Sequence, residues 1–222
     1  MLARHWSGPR MADSHSITTF VMEKRLPWPE EGSVREVEGP YDPGVIHDGG
    51  LKWNCSIRRI SALGATLRGE AVMAPGAEIA VELATGQRPA GTVEWVKAGE
   101  AGVVFKQPID MIALINRQLL SQPTERRAMP RVELRSRLHL KWGASVAAAV
   151  LRNISARGLQ IEGEELPQRG TFVSLFIEGL NVPPGEVVWR KDQLAGIELL
   201  EDLSWSSLIP WVREAGRKAV SA

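Results

Sequence analysis

The chain has 222 residues, with 27 lysines and arginines against 26 aspartates and glutamates and a single cysteine. Charge is close to balanced in both halves, 13 basic to 14 acidic over residues 1–122 and 14 to 12 over 123–222. That balance argues against nucleic-acid or membrane-surface binding, which needs a strongly basic face. With one cysteine there is no internal disulfide, and no apolar stretch reaches the ~20 residues of a membrane helix, so a soluble protein of the reducing cytoplasm without membrane insertion is expected.

The first forty residues mix Gly, Pro, His and charge without periodicity and carry no apolar stretch behind a basic start, so they read as a loose, disordered tail rather than a signal peptide. Met11 and Met22 leave a shorter natural start open. From Ile57 to Phe105 the sequence then matches Leu151 to Leu199 at a constant spacing of 94 residues, without a gap. Arg58, Ile60, Ser61, Ala62 and Gly64 fall on Arg152, Ile154, Ser155, Ala156 and Gly158; Gly91, Val93, Trp95 and Gly102 fall on Gly185, Val187, Trp189 and Gly196. This period is too long for a solenoid unit, so it predicts two copies of one small domain.

Within each copy the periodicity is that of short strands. Glu78-Ile79-Ala80-Val81-Glu82-Leu83 alternates apolar and polar residues, as does its counterpart Phe172–Ile177. Residues 91–97 and 101–105 continue the pattern, matched by 185–191 and 195–199. Strands spaced about ten residues apart with Gly and Pro between them predict an antiparallel barrel or sandwich. Residues 109–120 and 203–217 switch to helical periodicity, with Pro108 near the start of the first and Pro210 expected to break or kink the second. Trp95 and Trp189 lie on the apolar strand face and are expected in the cores.

The fold expected is thus mainly β: two tandem six-stranded antiparallel β-barrels, each followed by a C-terminal α-helix. The boundaries read as a tail over 1–40, a first barrel over 41–121, a linker over 122–131 and a second barrel with its helix over 132–222. Two prolines and clustered charge make the linker extended, and it is the only joint visible between the copies. Arg126, Arg127, Arg131, Arg135, Arg137 and Lys141 fall within sixteen residues that hold one acid, Glu133, which suggests a local anion site.

Catalytic chemistry finds little support. His5, His15, His47 and His139 are scattered, no pair has metal-ligand spacing, and Cys55 lacks a Cys or His neighbour for a zinc site. Phosphate-loop and nucleophile-elbow signatures are absent. No enzyme activity, no metal and no cofactor are therefore expected.

The constellation that stands out is Arg127-x-x-x-Arg131 followed by Asn153-x-Ser155-x-x-Gly158. In these residues the chain resembles the PilZ family, bacterial domains that bind the second messenger cyclic di-GMP. The resemblance implies a barrel with a helix, and Arg127, Arg131, Asn153, Ser155 and Gly158 as contacts to cyclic di-GMP, with Arg126 as an auxiliary. Arginine forks suit phosphate or guanine O6 and N7, Asn suits a base edge, a serine hydroxyl can donate, and Gly allows close approach of the backbone.

The first copy departs from that pattern. Arg59 stands where the motif has Asp or Asn, and no two arginines four apart precede Arg58. It reads as a degenerate copy whose role is scaffolding, self-association or contact with a protein partner. The function expected is a cytoplasmic cyclic di-GMP receptor in which ligand orders the linker and reorients the two barrels. The alternative is a PilZ-like structural or protein-interaction module without nucleotide binding. A barrel that binds single-stranded nucleic acid is disfavoured by the near-neutral charge. Nothing in the sequence selects among motility, polysaccharide synthesis, adhesion and transcription as the output.

Overall fold

The computed structural model describes residues 18–29, 41–121 and 131–220. They form a mainly β protein with two helices. The first seven strands are β1 (Thr19–Val21), β2 (Asp42–Asp48), β3 (Leu51–Ser61), β4 (Gly64–Gly69), β5 (Glu78–Leu83), β6 (Ala90–Lys97) and β7 (Glu100–Phe105), followed by α1 (Met111–Ser121). After these come β8 (Arg131–Trp142), β9 (Ser145–Ile154), β10 (Gly158–Glu162), β11 (Phe172–Ile177), β12 (Gly185–Lys191) and β13 (Leu194–Leu199), then α2 (Trp205–Val220).

Antiparallel pairing runs in a closed circuit through β8, β9, β10, β13, β12 and β11 and back to β8, a six-stranded barrel. Strands β3, β2, β5, β6, β7 and β4 pair in the same circular order. Closure leaves no free sheet edge, which is the main hazard of small β domains. Each ring encloses its own core: Leu138, Leu140, Leu151, Ile161 and Ile197 in the C-terminal ring, and Ile46, Ile60, Leu67, Val81 and Val103 in the N-terminal one. Met111, Leu114 and Ile115 of α1 bury in the N-terminal core; Leu208, Trp211 and Val212 of α2 bury in the C-terminal core.

Both helices differ in detail from expectation. Helix α1 starts after Asp110, whose Oδ1 accepts a hydrogen bond from the Ala113 amide at 3.0 Å, an N-cap that replaces Pro108 as the start signal. Helix α2 runs through Pro210 instead of ending there. Pro210 and Ser206, one turn earlier, are both exposed, so the carbonyl that loses its helical donor can turn to water.

Residues 18–29 do not conform to the expected loose tail. Thr18, Thr19, Phe20 and Val21 are buried, and β1 lies between the two rings, parallel to β3 on one side and β8 on the other. Phe20 pairs with Ile60 and with Val132, and Val21 pairs with Ser61 and with Glu133. All thirteen strands thereby join in one continuous sheet. The linker is accordingly not the only joint between the halves. Three residues give too short a pattern to read as a strand, and the two strands that order them come from far along the chain.

Trp95 and Trp189 also depart from expectation, since neither belongs to a core. Register shifts between Val93 and Trp95, and between Val187 and Trp189, insert one extra residue into each strand. A bulge of this kind turns the following side chain to the other face of the sheet. Each indole lies half-buried on the outside, over a glycine on the adjacent strand. A Cβ on Gly102 would collide with the Trp95 ring, and one on Gly196 with the Trp189 ring.

Phe20 is 1% exposed and packs in the N-terminal core. Phe20→Ala is expected to cost about 3–5 kcal/mol in urea unfolding. Because β1 bridges both rings, the variant should also lose hydrogen-exchange protection along β3 and β8 together; loss along β3 alone would mean that β1 does not couple them.

Candidate functional site

On the outside of the C-terminal ring a row of residues crosses five strands. Glu133 on β8 pairs with Asn153 on β9, Asn153 with Gln160 on β10, Gln160 with Gly196 on β13, and Gly196 with Trp189 on β12. Two bulges aim this row outward. One skips Arg152 between Leu151 and Asn153, and the other is the shift before Trp189. Without the first, Asn153 would follow the inward alternation set by Leu151, which is fully buried.

Of the residues singled out by sequence, Arg131, Asn153, Ser155 and Gly158 converge at one end of this row. Val132 pairs with Ile154 and Glu133 with Asn153, so continuing that register sets Arg131 across from Ser155. Arg131 is exposed at the head of β8, on the same side of the strand as Glu133. Arg126 and Arg127 lie outside the described residues.

Asn153 is 8% exposed, and its amide nitrogen donates to Gln160 Oε1 at 2.5 Å. That bond fixes the amide plane and presents two neighbouring carboxamides on one surface. Ser155 closes the turn into β10: its backbone N donates to the Gly158 carbonyl at 2.9 Å and its Oγ donates to the same oxygen at 3.2 Å. Its hydroxyl proton is thereby engaged within the turn, which leaves the oxygen lone pairs for other contacts. Gly158 has a purely local reason to be glycine, because a Cβ there would sit 2.5 Å from the Ile197 carbonyl oxygen. Gly64 meets the Val103 carbonyl in the same way. Gly158 therefore shapes the turn whatever binds beside it.

Sequence reasoning missed Gln160 and set Trp189 aside as core. Simple alternation puts Trp189 and Asn153 inside, so neither Trp189 nor the pairing of Gln160 with Asn153 could be placed without the bulges. Glu133 was read only as the lone acid among cations. Its carboxylate accepts from Arg59 Nη2 at 2.5 Å and from Arg25 Nη2 at 2.9 Å, so the one acid of β8 is paired with two guanidinium groups. An anionic ligand would therefore meet Arg131 without net repulsion from β8.

Catalytic groups do not gather here. Among the described residues no cluster of three or more His, Cys, Asp or Glu forms a metal site, and no helix is long and apolar enough to cross a membrane. Burial pushes the Cys55 thiol up to about 11, far from the thiolate that a nucleophile requires.

The PilZ domain family model matches residues 125–208, which contain the whole row. No curated protein matches the chain. Among solved structures, PlzA of Borreliella burgdorferi in complex with c-di-GMP overlays at TM-score 0.32 and 12% identity, over 78% of this chain and 86% of its own. The Bacillus subtilis inhibitor of motility MotI/DgrA overlays at 0.31 and 15%, over 84% and 99%. YcgR of Escherichia coli in complex with c-di-GMP overlays at 0.23 and 14%, over 81% and 83%. Such TM-scores are too low to superpose one site on another. The C-terminal ring is thus similar to a PilZ domain over residues 125–208.

Proposed function

We propose that the chain is a bacterial, cytoplasmic cyclic di-GMP receptor rather than an enzyme. Its ligand would lie on the outward row of the C-terminal ring, held by Arg127, Arg131, Asn153, Ser155 and Gly158, with Arg126 assisting. The observation that carries this reading is the convergence of Arg131, Asn153 and Ser155 at one end of a row that closes with a half-buried indole. Cyclic di-GMP carries two phosphates and two guanines, which suit arginine forks, carboxamides and an aromatic face. Charge-assisted hydrogen bonds contribute about 1.5–3 kcal/mol each. Three or four of them, less the cost of ordering the linker, reach the ~8 kcal/mol of micromolar binding.

In this reading the two rings are tandem PilZ-like barrels, each with its own C-terminal helix, and only the second takes the nucleotide. Equivalent strands begin at Gly64 and Gly158, at Glu78 and Phe172, and at Glu100 and Leu194. The ligand would order residues 122–131 and change the angle between the barrels. Because β1 is held on both sides, such a change has to peel it from one barrel, which makes β1 the hinge. The first barrel would serve a protein partner or self-association.

Isothermal titration with cyclic di-GMP tests the site. Arg127→Ala and Arg131→Ala should each weaken binding about ten- to a hundredfold. Arg137→Ala, which removes the same charge from an exposed position on β8, should leave it unchanged; equal losses from all three would point to diffuse electrostatics. Small-angle scattering tests the output. Saturating ligand should alter the profile, and an identical profile would rule out reorientation.

A further inference from the structure

The row on the C-terminal ring has a twin on the N-terminal ring at the same 94-residue spacing. Arg59 pairs with Thr66, Thr66 with Gly102, and Gly102 with Trp95. These positions correspond to Asn153, Gln160, Gly196 and Trp189. A register shift that skips Arg58 turns Arg59 outward, as the shift at Arg152 turns Asn153 outward.

This second row is already occupied. Residues 22–29 follow β1 and run across it. The Pro27 carbonyl accepts hydrogen bonds from both Arg59 Nε and Thr66 Oγ1, each at 3.0 Å. Trp28 meets Trp95 edge to face, with ring centroids 5.5 Å apart and planes at 79°. The Trp28 ring also reaches the space above Gly102, and Leu26 the space beside Gly64. Two converging donors, an aromatic wall and a glycine floor receive one carbonyl and one indole. Arg59 and Thr66 are 4% and 1% exposed, so their polar groups have been withdrawn from water to make these bonds.

We propose that the outward face of the N-terminal ring is a peptide-binding site, specific for an extended Leu-Pro-Trp segment and filled in cis by Leu26-Pro27-Trp28. The chemistry differs from a nucleotide site in one decisive respect. Arg59 directs one guanidinium nitrogen to a neutral peptide carbonyl and another to the Glu133 carboxylate at 2.5 Å, so these donors are already engaged before any phosphate arrives. Proline fixes the backbone of the segment before binding, which lowers the entropy cost of docking. The intramolecular connection gives the segment a high effective concentration. A ring without the nucleotide motif thereby has the same bulged face and uses it to hold polypeptide. This inference rests on the contacts of residues 22–29 and stands whether or not the C-terminal ring binds a dinucleotide.

The test uses the full chain carrying Leu26→Ala, Pro27→Ala and Trp28→Ala together, with a synthetic peptide spanning Met22–Pro29 as probe. The Trp95 indole and Thr66 amide resonances are followed by NMR. Added peptide should return both resonances in the variant toward their wild-type positions and leave the wild-type chain unmoved. A variant whose Trp95 and Thr66 signals ignore the peptide would overturn the proposal. So would a variant in which cyclic di-GMP, not the peptide, moves them, because the face would then be a masked nucleotide site. The response of Gln160 to the dinucleotide in the same spectra reports on the other ring separately. If the triple variant fails to fold, Thr66→Val in the otherwise unaltered chain should speed amide exchange at Leu26 and Trp28, and unchanged exchange there would equally overturn the proposal.

Discussion

The structure depends on a strand of three residues that two rings share. Strand β1 pairs in parallel with β3 and with β8, and it buries Phe20 and Val21 between halves that otherwise close on themselves. A closed ring has no reason to contact another ring by hydrogen bonding, because its edges are already paired. Here β3 and β8 each extend beyond what their own ring uses, and β1 satisfies both overhangs. Its position also fixes where residues 22–29 go next, since a chain leaving Val21 beside Ser61 and Glu133 emerges over the N-terminal row.

Around that joint the charges are arranged as one cluster. Glu133 receives Arg59 and Arg25, and Glu23 receives Arg25 at 2.8 Å and Arg135 at 3.7 Å. The Met22 amide donates to the Glu133 carbonyl at 2.9 Å, so backbone and side chain of one residue both hold the N-terminal segment. Partly buried ion pairs of this sort contribute little net stability but penalise wrong arrangements, because a lone partner left behind is costly. The cluster therefore specifies how the rings meet more than it holds them together. It also places two guanidinium groups on the acid next to Arg131 and Asn153.

Much of this was legible in the sequence. The 94-residue spacing, the strand pairs at Glu78–Leu83 and Phe172–Ile177 and the Arg-Asn-Ser-Gly motif needed only pattern reading, because each is set by local alternation or turn chemistry. What the sequence hid shares a physical cause. Bulges at Arg58, Glu94, Arg152 and Val188 reverse the alternation for the residues that follow, so Trp95 and Trp189 read as core and the pairing of Asn153 with Gln160 went unnoticed. Strand β1 carries no periodic signal because three residues are too few to show one. Pro210 read as a break because sequence does not say that Ser206 faces solvent.

The central claim is that two faces built alike have different occupants, one a nucleotide and the other the chain's own N-terminal segment. Hydrogen exchange monitored by mass spectrometry, with and without saturating cyclic di-GMP, examines both faces in one experiment. The account predicts new protection over residues 122–131 and 153–160 and none over 59–66, where the Pro27 carbonyl is already bound. Protection over 59–66, or none at all, would contradict it.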